Sequence, residues 1–250
     1  MAVFLALVRR ELGVAFNSLT GYVVIAVVLL LCGFSLVDIV IKLNGGPMDG
    51  PVVALFYHSA YFWLILLPLP SVITMRSFAA ERSSGTYEAL MTTPVGDWQV
   101  VLAKYTGAML FYLLTWLPLL AVLAVLRQVT QESAFLEFRS TLGAFLGITC
   151  IGSLFLSMGC FASALTRSQM VASMLAFLMA MGLWVLGLGP DLSDTAETST
   201  TRFLTHVSLM RHMDDFSQGI IDSRQVVFYL SGTLLFLFFT ARVVESRRWK

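Results

Sequence analysis

The residues able to do chemistry gather in two polar stretches. The first runs from Arg76 to Lys104, RSFAAERSSGTYEALMTTPVGDWQVVLAK. Its charges are mixed in sign: Arg76, Glu81, Arg82, Glu88, Asp97 and Lys104. Such a set suits ion pairs and hydrogen bonds across a polar contact, not bond cleavage. Thr86 to Met91 is compatible with one short helix, with Gly85 before it and Pro94 after it as breakers. The second stretch, Pro190 to Gln225, carries His206, His212, Asp214 and Asp215, which could be drawn as a metal cluster. A histidine spacing of six does not put both rings on one helix face, so no metal is expected there. His58 lies among aromatic residues, where interfacial packing is the expected role. Asp38, Glu88 and Asp97 are too scattered to form a proton relay.

No phosphate-cradling GxxxxGK[ST], no GxSxG and no HExxH occurs. Cys32, Cys150 and Cys160 fall inside apolar runs and read as small buried hydrophobes. A chain with these residues is expected to be non-catalytic, with no catalytic residue, cofactor or metal of its own. Any energy for its work must come from a partner.

The elements around the polar stretches are membrane spans. Of 250 residues, 58% are hydrophobic and 12% charged, against about 25% charged in a soluble domain. Six apolar runs are predicted to cross a bilayer: 21–41, 52–75, 101–126, 141–165, 169–189 and 226–244. The fold class is therefore all-α membrane protein, a single transmembrane domain over 1–250. Residues 1–20 read as an amphipathic interface helix, with Phe4, Val8, Leu12 and Phe16 on one side and Arg9, Arg10 and Glu11 toward the other. The alternative is an extension of the first span. The first apolar run is interrupted by Arg9 and Arg10 and does not read as a signal peptide. Pro68 and Pro70 predict a bend in the second span. Gly143 and Gly147 predict close helix packing in the fourth. Phe203, Val207, Met210 and Met213 recur at helical spacing before the last span. Net charge is +1, with no basic run that would suit nucleic acid.

Six spans place both termini on one side. Ten of the sixteen Lys and Arg fall on that side, and the rest (Lys42, Arg127, Arg139, Arg202, Arg211, Arg224) on the other. The positive-inside rule then puts both termini and residues 76–100 in the cytoplasm, and 190–225 outside it.

Glu81 to Ala108 resembles the cytoplasmic loop of type-2 ABC (ABC-2) exporter permeases. That pattern has an acidic-basic pair, Gly-Thr, an acid two positions on, an apolar pair, a proline, and a lysine before the next span. Here these are Glu81-Arg82, Gly85-Thr86, Glu88, Leu90-Met91, Pro94 and Lys104, with Tyr87 inside the segment. The stretch from His212 to Lys250 is similar to the end of the gliding-motility permease subfamily (the GldF type); Phe216, Gly219, Ile220, Ile221, Asp222 and Arg224 match its run before the last span. The resemblance implies a homodimer or a pair with a related permease, two cytoplasmic ABC ATPase subunits that hold the ATP and Mg, and a bacterial inner-membrane location. It implies that Gly85–Met91 is a coupling helix seated in the ATPase. It also implies that the N-terminal helix touches the ATPase, and that short outer-face helices precede the last span.

Two functions are expected from this: an exporter permease subunit, or a mechanical module that uses the ATPase stroke to act on an extracytoplasmic accessory protein without passing a solute. A membrane enzyme is a third reading, disfavoured by the missing polar cluster.

Overall fold

In a computed structural model, residues 2–44, 52–85, 96–130, 138–192 and 204–248 are described. Among them there is no strand. Six helical stretches are long and apolar enough to cross a membrane: Leu19–Lys42, Ala60–Ser83, Asp97–Leu123, Arg139–Leu165, Gln169–Leu188 and Ser223–Ser246. The chain is a multi-pass, all-α membrane protein.

The first helix, α1 (Ala2–Phe16), is followed by α2 (Leu19–Asn44) across a two-residue turn. Ser18 Oγ closes that turn by donating to Ala15 O at 3.0 Å. The Val8 side of α1 is buried, and Phe16 meets Phe111 edge-on at 5.2 Å.

The second span is not one helix. It divides into α3 (Val52–His58), α4 (Ala60–Leu66) and α5 (Pro68–Thr74), with a short α6 (Ala79–Ser83) after a turn. Ser59 makes the sharper break. Its backbone is extended (φ −71°, ψ 138°) and its hydroxyl accepts from Tyr61 N at 3.1 Å, so it starts α4 as an N-cap. At the expected proline site the ladder loses donors, yet Leu67 keeps helical dihedrals (φ −73°, ψ −51°). The third span, α7 (Asp97–Thr130), runs past both ends of its apolar stretch and contains Pro118. Residues 127–130, expected in a connection, are helical because nothing in Arg-Gln-Val-Thr breaks a helix.

The central pillar is α8 (Phe138–Leu165), the most buried of the spans. Its small residues are filled by neighbours. A β-carbon on Gly152 would fall on the Tyr112 ring, one on Gly159 on Thr74 and one on Gly147 on Phe216. Small side chains thus admit bulky ones from three elements. Tyr112 Oη donates to Ile148 O at 3.1 Å, matching a buried hydroxyl with a carbonyl. Around this joint an aromatic cluster fills one half of the bundle, with Phe62 4.8 Å from Tyr57 and 5.7 Å from Trp116.

The remaining elements are α9 (Gln169–Leu192), α10 (Leu209–Ser217) and α11 (Ser223–Arg248). Helix α9 continues through Pro190, two residues beyond the expected start of a loop. The amphipathic pattern before the last span is realised in two helical pieces, 204–207 with Val207 and α10 from Leu209, broken by the extended Ser208 (ψ 104°); Phe203 lies outside the described residues. Cys32 and Cys160 are buried, Cys150 is half-buried, and all three are free thiols.

Candidate functional site

The polar stretch after the second span is held by two sets of contacts. The first is ionic. Lys104 of α7 donates to Glu81 Oε1 of α6 at 2.8 Å and to Glu11 Oε1 of α1 at 3.1 Å. Arg10 Nη2 donates to the same two oxygens at 2.8 and 2.9 Å. The Lys104 side chain is only 3% exposed, whereas Arg10 keeps 46% in solvent. The ammonium also lies 5.4 Å from the Phe78 ring centre, which favours a cation. Two cations and two carboxylates cancel, which is the condition for burying a lysine. The pairing also holds the Arg10 guanidinium above its ordinary pKa, against the lowering by burial.

The second set belongs to the end of α8. Ser163 Oγ accepts from the backbone N–H groups of Phe78 and Ala79 at 3.0 and 3.1 Å, and donates to Met75 O at 3.3 Å. It satisfies the free N–H groups at the start of α6 from another helix. Arg82 Nη1 donates to Ala164 O and Thr166 O at 2.7 and 3.2 Å, a cation on the carbonyl end of α8. Arg76 bridges to Gln169 Oε1 at 3.2 Å and Thr20 Oγ1 at 2.8 Å. Helix α6 closes at Ser84, and Gly85 follows with φ +74°, a left-handed exit suited to glycine.

Of the residues expected to contact a partner here, Glu81, Arg10 and Glu11 converge in one cluster. Arg82, also on α6, is bound to the carbonyl end of α8 beside it, and Arg9 is exposed on α1. Thr86, Tyr87, Glu88, Leu90, Met91 and Pro94 lie outside the described residues. Sequence reading did not find Ser163 or Thr20, and it noted Lys104 only within a pattern. Their partners stand up to 93 residues away.

The opposite end of the bundle holds α10. Its C-terminus is a Schellman turn: Ile220 N reaches Asp215 O at 2.9 Å and Gly219 N reaches Phe216 O at 3.0 Å, with Gly219 at φ +74°. Phe216 is fully buried, and its backbone and ring press on Gly143 and Gly147. The predicted close-packing pair therefore receives this short helix rather than another span. Arg139 Nε donates to Gly219 O at 3.2 Å. Asp222 caps α11 by accepting from Arg224 N at 2.9 Å. His212 Nδ1 lies 2.9 Å from Tyr229 Oη, and Gln225 Nε2 donates to Asp215 Oδ2 at 2.5 Å. Burial lowers the pKa of His212; Asp215 opposes this, His206 adds to it and Asp222 opposes it. A polar recess of about 500 Å³ opens here between His206, Arg211, Asp214, Asp222, Arg224 and Phe228. Among the described residues no three His, Cys, Asp or Glu side chains converge as a metal-holding group.

Residues 50–239 match the family model described as ABC-2 family transporter protein. The chain belongs to the ABC-2 transporter family. That match covers the spans from the second to most of the sixth, so this ABC-2 chain is a membrane transport component, the permease part of an ABC transporter. Comparison with curated proteins found no match.

Proposed function

We propose that this ABC-2 permease is the transmembrane subunit of an ATP-driven exporter in a bacterial inner membrane. Both termini face the cytoplasm, and the protein pairs with a second copy or a related permease. Two cytoplasmic ATPase subunits, which hold ATP and Mg, grip the segment that starts at Glu81 and Arg82 and continues through Gly85 to Pro94. The resemblance to the GldF-type subfamily favours this reading. One observation carries it: α6 is tied by Lys104, Ser163 and Arg82 to α1, α7 and α8 at once. A displacement of α6 therefore reaches three helices, and α8 extends it through the membrane. ATP binding would close the ATPase pair, push this segment, and tilt the spans about the two-fold axis.

The test is Glu88→Arg in the complex reconstituted with its ATPase. We expect ATPase activity to lose its dependence on the permease while the permease still inserts. Unchanged coupling of hydrolysis to transport would count against the assignment. A second reading, force transmitted to an extracytoplasmic protein with no solute moved, is favoured by the polar recess beside α10. It predicts a stoichiometric accessory protein bound to α10 and α11.

A further inference from the structure

Three cavities join into one crevice at the end of the bundle that carries α1. The outermost, about 250 Å³, is lined mainly by charged and polar residues, among them Arg10, Arg76, Glu81, Lys104 and Gln169. It shares Glu11, Val14, Arg76 and Lys104 with a narrow neck of about 80 Å³ between α1, α2, α5 and α7. The neck shares Val24 and Val72 with a third space of about 230 Å³ along α2, α4 and α5. All its lining side chains are apolar, among them Val27, Leu31, Leu64 and Pro68.

The charges at the mouth are unequal. Arg10 and Lys104 are already neutralised by Glu11 and Glu81. Arg76 is exposed, and its partners are two neutral oxygens, Gln169 Oε1 and Thr20 Oγ1. Among the described residues no carboxylate pairs with Arg76, so a guanidinium without a paired anion sits where this mouth narrows into the apolar run. Guanidinium suits a phosphate diester, and basic pockets between spans suit anionic headgroups. A molecule with a negative head and a hydrocarbon tail matches this order of surfaces.

We propose that the crevice holds one anionic phospholipid of the surrounding leaflet. Its phosphate sits against Arg76, and one acyl chain passes Val24 and Val72 to lie along Val27, Leu31 and Leu64. The lipid then joins α1 to the second span, at the level where α6 is anchored. This does not depend on the partner ATPase or on what is exported.

The full chain, purified in detergent, is incubated with equal amounts of phosphatidylglycerol and phosphatidylcholine carrying the same acyl chains. Intact-protein mass spectrometry counts the lipid retained. We expect about one phosphatidylglycerol per chain, preferred by about tenfold: both lipids offer a phosphate, but the choline ammonium of phosphatidylcholine cancels the headgroup charge and repels Arg76, whereas glycerol does neither. Arg76→Gln should abolish the preference and Arg76→Lys should keep most of it. Val27→Trp, which fills the apolar run without touching Arg76, should reduce retention of both lipids. Equal retention by the unsubstituted chain, or a preference that survives Arg76→Gln, overturns the proposal. So does unchanged retention in Val27→Trp. A disulfide between the Val24→Cys positions of two copies overturns it as well, because another protein chain would then cover the groove.

Discussion

Lys104 shows how one residue joins distant parts of this chain. An ammonium withdrawn from water needs carboxylates in fixed positions, and Glu11 and Glu81 come from helices 93 and 23 residues away. Lys104→Met should destabilise the protein by about 3 kcal/mol, the low end for breaking a buried pair, because both carboxylates keep some contact with water. Arg10→Gln should cost less than about 1 kcal/mol, as nearly half of its side chain is solvated. Thermal unfolding in detergent compares the two, and equal losses would mean that burial is not what makes Lys104 matter. The charges of this cluster were legible from sequence in two places, Glu81 and Lys104 in a mixed polar stretch and Arg10 and Glu11 on the interface helix. Their convergence was not, because α1, α6 and α7 meet only after the spans have packed.

At the scale of elements, α10 and α11 meet through a buried polar joint, His212 on Tyr229 and Gln225 on Asp215. Burial favours the neutral imidazole, so the folded-state pKa of His212 lies below the ordinary value. Its contribution is then fully present above about pH 6.5, the unfolded reference, and fades as pH falls toward the folded-state value. His58 Nε2 lies 3.3 Å from Asp214 Oδ1, an exposed contact of little weight beside this joint. A stability profile between pH 7.5 and 5 should therefore fall on acidification and flatten in His212→Gln. An identical slope in the variant would exclude the joint as its source. The glycine pair that seats α10 was readable in the sequence as a demand for close approach. Its occupant, Phe216, was not, since a small residue states how near a neighbour comes and not which neighbour.

The whole molecule has two polar ends separated by one bilayer. Ser163 binds α6 and Gly143 binds α10, twenty residues apart on α8. At the helical rise this is about 30 Å, the thickness of the hydrocarbon core. The two ends should face opposite compartments. A cysteine at Ile221, which is exposed, should react with an impermeant maleimide in intact cells, and one at Ser84 only after the membrane is opened. The reverse pattern would invert the proposed orientation. Between the ends, large apolar side chains of α2, α9 and α11 stay exposed, including Leu30, Leu178 and Leu234, as a surface in lipid requires.

Hydrophobic run length alone determined that this chain crosses a membrane six times as helices. No other backbone arrangement satisfies its own hydrogen bonds along twenty apolar residues in lipid. The break at Gly85 was likewise readable, because a left-handed backbone selects glycine locally, whereas Gly219 stood out only as part of a matched run and its turn came from the structure. Tertiary structure alone decided that Ser59 breaks the second span harder than two prolines. It also decided that Ser163 and Lys104 anchor α6, and that a cleft with a charged mouth runs beside Arg76. Each of these depends on which helix faces which, and in lipid that choice rests on side-chain fit and paired polar groups instead of a hydrophobic pattern.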